Sequence, residues 1–211
     1  MAIAFVNSGA VANITASYTV GGQANHLLVL TVVGGLNVDT VSAATYGGQS
    51  MTLVVKLNTN SNRYLYMFYL LNPPSGSNAF SITDGGNFNN GFAADYSGVK
   101  QSGQPDASGT NAATTTASIS KAITTLANNC WLISATFVAA GATTLSAGAN
   151  TTIRTKNGES SAIGDSNAPQ TPPGSFSQAY SSSGTWDDAV IINASFAPAP
   201  GGTSGLQSKF W

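Results

Sequence analysis

Apolar and polar residues alternate along almost the whole chain, glycine punctuates the alternating runs, and no stretch of ten residues shows the 3.6-residue period of an amphipathic helix. The pattern predicts strands near Ile3 to Val6, Asn13 to Val20, His26 to Val33, Thr40 to Tyr46, Ser50 to Leu57, Arg63 to Leu71 and Asn78 to Thr83. It predicts further strands near Gly91 to Gly98, Thr114 to Ser120, Asn129 to Ala139, Thr151 to Lys156, Glu159 to Gly164, Phe176 to Ser183 and Asp188 to Phe196. Turn chemistry marks the breaks. Gly47-Gly48, Pro73-Pro74-Ser75-Gly76 and Gly85-Gly86 supply the positive or fixed φ that tight reversals need. Asn157-Gly158 has the sequence of a two-residue type I′ hairpin turn. Lys100 to Ala113 and Asp165 to Gly174 read as loops.

One stretch has an echo. Ala24-Asn25-His26-Leu27-Leu28-Val29-Leu30 returns as Ala127-Asn128-Asn129-Cys130-Trp131-Leu132-Ile133, each preceded by a Thr-Ala-Ser strand. A short polar strand followed by a long apolar one is thus a unit used twice, as in a two-sheet sandwich. Two strands carry apolar residues on both faces. His26 to Val33 sets Leu28, Leu30 and Val32 opposite Leu27, Val29 and Val33; Arg63 to Leu71 sets Tyr64, Tyr66 and Phe68 opposite Leu65, Met67, Tyr69 and Leu71. Such strands need cover on both faces. That cover comes from core and loops, from another subunit through Tyr64, Tyr66 and Phe68, or from sugar rings stacked on an exposed row.

Composition sharpens the picture. The 211 residues fit one all-β domain, residues 1–197, with a tail at 198–211 that opens Pro-Ala-Pro-Gly-Gly-Thr-Ser-Gly and finishes with Leu206, Phe210 and Trp211. Bulky aromatics on a pliable tether predict docking on the domain or on a neighbouring subunit. Charged residues make up 7% of the chain, against about 25% in ordinary soluble proteins, so solubility rests on Ser, Thr, Asn and Gly. Lys and Arg number 7 and are scattered, which disfavours a nucleic-acid partner that wants on the order of six to ten phosphates neutralised. No apolar run approaches the roughly 20 residues of a spanning helix. Met1 to Asn7 lacks the basic start and long apolar core of a secretory signal, so the expected site of synthesis is the cytoplasm.

Candidate chemistry is sparse. His26 is the sole histidine and Cys130 the sole cysteine, so no internal disulfide or thiolate metal cluster is expected. Any Ser-His-Asp arrangement has to use His26, yet its counterpart in the echo is Asn129, which favours a polar residue at a strand start. Asp187 and Asp188 point to opposite faces of an extended strand, and are read as a solvent-facing strand start rather than a converging carboxylate pair. Asp39, Asp84 and Asp95 are distant acids whose convergence depends on the fold. The Asp84 to Gly91 loop has one carboxylate, too few for calcium, and reads as an Asn-rich turn. No catalytic residue, cofactor or metal site is expected, and no enzyme activity.

Three stretches resemble a known family. Tyr46-Gly47-Gly48-Gln49-Ser50-Met51-Thr52-Leu53, Phe68-Tyr69-Leu70-Leu71-Asn72-Pro73-Pro74-Ser75-Gly76 and Tyr96-Ser97-Gly98-Val99-Lys100-Gln101 are similar to motifs of a jelly-roll-like module of bacterial surface proteins and tailed-phage structural proteins. Phe68 stands where that family has Trp, and Lys100 where it has Asp. The resemblance implies an all-β, jelly-roll-like antiparallel β-sandwich with Gly/Asn-rich turns, and carries no functional residue over. The expected function is a virion structural protein, a capsid decoration, tail or fibre component that forms homo-oligomers and docks on other virion proteins. The alternative is a carbohydrate-binding module or adhesin that reaches a host-surface glycan through Tyr180 and Trp186.

Overall fold

The computed structural model describes residues 1–35, 38–58, 63–139 and 144–201. Leu206, Phe210 and Trp211 lie outside the described residues. The described residues form fifteen strands and no helix: β1 Ala4–Val11, β2 Ser17–Val20, β3 Leu27–Gly34, β4 Val41–Tyr46, β5 Gln49–Ser50, β6 Thr52–Asn58, β7 Tyr64–Leu71, β8 Gly76–Asp84, β9 Asn90–Ser97, β10 Ala107–Thr124, β11 Trp131–Ala139, β12 Ser146–Ala147, β13 Thr152–Asn157, β14 Ser161–Asp165 and β15 Ser175–Phe196. They build three antiparallel sheets rather than the two of a simple sandwich. Sheet 1 runs β1-β9-β3-β7-β6, sheet 2 runs β10-β15-β11-β14-β13 with β12 alongside β15, and sheet 3 runs β2-β8-β4-β5.

Sheet 1 lies in the middle. Leu27, Val29, Val33, Leu65 and Met67 pack against Trp131, Ile133, Phe137, Ile192 and Phe196 of sheet 2. The opposite face, Leu28, Leu30, Val32, Tyr66 and Phe68, packs on Val20, Tyr46, Phe80 and Ile82 of sheet 3. All eight residues of β3 are buried for this reason. Tyr66 and Phe68 are 0% and 2% exposed, which corrects the expectation that they meet another subunit: the chain covers its own two-faced strands. Tyr64 is part-buried and stacks on Tyr66 at 5.9 Å between ring centres.

The outer face of sheet 2 is covered by the far ends of its own long strands. β10 and β15 stay paired as far as Thr116 and Trp186, then resume at Ser118 and Ser181, with Ser182 to Thr185 bulged out. Beyond that break the pair crosses back over the sheet. Ile119 and Tyr180 pack on Val138, Ala162, Ala189 and Ile191, and the Tyr180 hydroxyl lies 3.0 Å from Ser134 Oγ on β11. Gly164 makes room for this crossing, because a Cβ there would sit 2.9 Å from the Tyr180 hydroxyl. The expected loop up to Ala113 is therefore strand from Ala107 onward, and the strands expected at Phe176 to Ser183 and Asp188 to Phe196 are one continuous strand.

The echo in the sequence is a repeat in the fold. Sheets 1 and 2 both join their strands in the order first, fifth, second, fourth, third, and β2-β8-β4 matches the far end of β10, the near end of β15 and β12. The two halves meet face to face in opposite directions, with β1 against β13 and β6 against β10, as about an approximate two-fold axis. The sequence alignment needs a one-residue correction. Leu27 pairs with Tyr96 and Trp131 with Phe196, all four on the shared interior face. Asn25 and Asn129 then coincide, and both have positive φ, 56° and 61°. His26 coincides with Cys130, each giving its carbonyl to the backbone of the following loop, Asn72 N at 3.0 Å and Gln170 N at 2.7 Å.

Two turns decide details. Gly47 and Gly48 both have positive φ and close the β4–β5 hairpin as read from sequence. At the Asn157-Gly158 turn, Asn157 stays in β13 opposite Ser161, so the loop has three residues and only Gly158 has positive φ. That corrects the two-residue type I′ reading. At the end of the described chain Pro198 bridges Val99, and Ala199 donates to the Gly98 carbonyl at 2.8 Å.

If the two asparagines serve as matched positive-φ positions, Asn25→Ala and Asn129→Ala should each cost about 1 kcal/mol, with the glycine replacements near neutral, in urea unfolding. Trp186→Ala, at a side chain 1% exposed in the outer layer, should cost about 3–5 kcal/mol by the same measurement.

Candidate functional site

A buried polar cluster surrounds Asp95, at the sheet 1 end where β2 leaves and β3 begins. Asp95 alternates to the sheet 3 side of β9, where its carboxylate is 0% exposed. Tyr18 donates its hydroxyl to Oδ1 at 2.9 Å and the Gly21 amide donates to Oδ2 at 3.0 Å. His26 brings Nδ1 to 3.6 Å from Oδ2 and places Nε2 2.9 Å from Gln23 Oε1. With Nε2 donating to Gln23, Nδ1 has no hydrogen-bond partner among the described residues. Burial lowers the His26 pKa below its ordinary 6.5, and the Asp95 charge opposes the fall. Burial raises the Tyr18 hydroxyl, and Asp95 adds to the rise.

His26 and Asp95 are two of the three members of a hydrolytic triad in composition, and the geometry around them is structural. Besides Asp95, the His26 ring meets the Gln23 side chain, and no serine hydroxyl is hydrogen-bonded to it among the described residues. The carboxylate is occupied in joining β2, the β2–β3 turn and β9. The cluster closes one end of the core, as expected of a polar residue at a strand start.

The other acids are dispersed in the same way. Asp39 accepts from Lys56 and from the Tyr66 hydroxyl at 2.8 Å; Lys56 lowers its pKa first, and the Tyr66 hydroxyl is pushed up to about 12, chiefly by burial. Asp84 accepts from Gly86 N at 3.2 Å and Asn87 N at 2.8 Å, an Asx turn at the head of the Asn-rich loop. Asp187 is exposed and Asp188 is 6% exposed on the opposite face. They diverge as alternation requires, but Asp188 is interior rather than solvent-facing. Among the described residues no three His, Cys, Asp or Glu side chains are grouped to hold a metal ion.

One largely buried ion pair, Arg154 with Asp165, was not singled out from sequence. Arg154 on β13 grips Asp165 on β14 with two bonds, Nε to Oδ2 at 2.7 Å and Nη2 to Oδ1 at 2.9 Å, and Nη2 also donates to Asn167 Oδ1 at 2.7 Å. Its guanidinium lies 4.0 Å from the centre of the Phe5 ring on β1, so one side chain ties the two halves together. The only signal in the sequence was an Arg within one predicted strand and an Asp just past the end of the next, at the start of the expected loop Asp165 to Gly174. Cys130 is 0% exposed, with Sγ 3.2 Å from Asp106 Oδ2 and 3.1 Å from the Ala127 carbonyl. Burial pushes the thiol pKa up to about 11, with the Asp106 carboxylate adding to the rise, so it stays protonated and unreactive near neutrality.

Tyr180 and Trp186 are 0% and 1% exposed. They are packed in the outer layer, which corrects the expectation that they offer rings to a glycan. No known protein family and no curated protein sequence matches this chain. The class it belongs to is defined by its architecture, all-β with three antiparallel sheets.

A histidine whose folded pKa is lowered binds its proton first in the unfolded chain. Its contribution is therefore complete above pH 6.5 and is lost as the pH falls through 6.5 towards the folded value. His26→Gln should flatten the loss of stability between pH 7 and the acid limb, measured as urea midpoint against pH; an unchanged slope would contradict this assignment. Arg154→Ala leaves a buried carboxylate without its partner and should cost about 3 kcal/mol or more in the same assay.

Proposed function

We propose that this protein is a structural component of a tailed-phage virion, a capsid decoration, tail or fibre part, that works by associating with copies of itself and docking on other virion proteins. The observation that carries the reading is the chemistry of the exterior. β10 has eighteen residues, and its exposed positions include Ser108, Asn111, Thr114, Thr115, Ser118 and Ser120, with Lys121 its single charged residue. At the sheet 1 edge, β6 exposes Thr52 and Leu53, and carries Lys56 as its one charge.

Such a surface is suited to being covered. Removing an ion from water costs several kcal/mol unless it is paired, whereas a hydroxyl or amide exchanges a water bond for a protein bond at a net gain of about 0.5–1.5 kcal/mol. Interface cores are depleted in charge for the same reason. The resemblance in the Tyr46, Phe68 and Tyr96 stretches supports the same assignment, and we read each half of the chain as a jelly-roll-like unit on the strength of its repeated strand order. A glycan platform on Tyr180 and Trp186 is not carried forward, since both rings are interior.

Sedimentation velocity over a wide range of protein concentration tests the proposal. The expected result is a discrete oligomer that persists at about 1 M salt, where the Debye length is about 3 Å and ionic contacts are screened. A monomer at every concentration, or an oligomer dissolved by salt, would overturn it.

A further inference from the structure

We infer that the segment Leu206 to Trp211 of this chain docks its aromatic side chains in the cleft formed by Met1, Ala2, Ile3, Asn129, Trp131 and Pro169. The inference does not rest on the virion reading. The cleft has a volume of about 380 Å³ and five of its six lining residues are apolar. That volume falls in the roughly 300–1,000 Å³ range of sites that enclose a compact organic group. Its rim is open: Met1, Ala2, Asn129 and Pro169 are exposed, while Ile3 and Trp131 form the buried floor.

The chain is delivered to this place. The Met1 amino group donates to the Ala199 carbonyl at 2.8 Å, and a Cβ on Gly201 would lie 3.8 Å from the Met1 nitrogen. The last described residue thus stands beside a residue that lines the cleft. From there the sequence continues Gly-Thr-Ser-Gly before Leu206, and then Phe210 and Trp211. From Gly201 to Phe210 the backbone spans up to roughly 30 Å when extended, ample to turn back on a cleft that borders its own starting point. A connection as short as Gly-Thr-Ser-Gly gives an effective concentration of about millimolar, which favours the chain's own segment over that of a second copy. Aromatic rings leaving water for a pocket floored by Ile3 and the edge of Trp131 supply the driving force.

Acrylamide quenching of tryptophan emission tests this on the full chain. The protein has three tryptophans, of which Trp131 and Trp186 are 7% and 1% exposed, so Trp211 alone reports the segment. The expected result is a single, weakly quenched population, unchanged on dilution. Ala2→Arg, which puts a charge on the exposed rim without touching the core, should release Trp211 and produce a red-shifted, strongly quenched component. Phe210→Ser should do the same, and Trp211→Phe in the Ala2→Arg background should abolish that component. A strongly quenched component in the unaltered protein, or no change with Ala2→Arg, would overturn the inference. So would protection that is lost on dilution together with a halving of the mass, which would place the segment on a second copy.

Discussion

The structure depends on one constraint: β3 and β7 are apolar on both faces, so the sheet they centre has to be enclosed. Leu27, Val29 and Met67 face sheet 2, and Leu28, Leu30 and Phe68 face sheet 3. Leaving either set in water would forfeit about 1.5–3 kcal/mol for each large side chain. Sheet 2 inherits the same difficulty, because β11 carries Ile133 towards sheet 1 and Val138 outward. Its solution is to lengthen β10 and β15 until their ends return across it. The bulge of Ser182 to Thr185 makes that return feasible, since it frees several residues from the ladder where the pair changes direction.

The polar groups inside this stack are placed where they join elements. Asp95 holds β2, the β2–β3 turn and β9; Arg154 and Asp165 hold β13 to β14, while the guanidinium rests on Phe5 of the other half. The Asp95 and Asp165 carboxylates are both met by donors at hydrogen-bond distance, which is the condition for tolerating them. The approximate two-fold relation explains why such groups need not match between halves. The shared face is mainly apolar in both, with Arg154, Ser8 and Thr155 meeting along one side of it, whereas the outward faces differ, sheet 3 in one half and folded-back strand ends in the other.

Much of the architecture was legible in the sequence. Alternation located β3, β4, β6, β7, β9, β11, β13 and β14 to within a few residues, because a half-buried or doubly buried strand imposes its period locally. Gly47-Gly48 gave its turn for the same local reason. β10 was legible only in part: Ala107 to Ala113 is rich in Gly, Ser, Thr and Asn, so it looks like a loop until Ala194, Ile192 and Val190 of β15 are seen pairing with it. Asn157-Gly158 misled because the register of the whole hairpin, not the dipeptide, set the loop length. The repeat was visible, but one residue out of step. In a strand such a slip exchanges the two faces, and only the pairing of Leu27 with Tyr96 and Trp131 with Phe196 fixes it.

By itself, then, the chain determined most of its strands, the Gly47-Gly48 turn, the scarcity of ions and the demand that two central strands be covered on both sides. These properties follow from neighbouring residues and their period. The tertiary structure decided who supplies the cover, and its answer was other parts of the same molecule. It also decided that Tyr66, Phe68, Tyr180 and Trp186 are interior, and that His26, Asp95 and Tyr18 meet while Asp39, Asp84 and Asp95 stay apart. Burial and convergence depend on which distant strands lie opposite one another, and the alternation of a strand fixes two faces without saying what faces them.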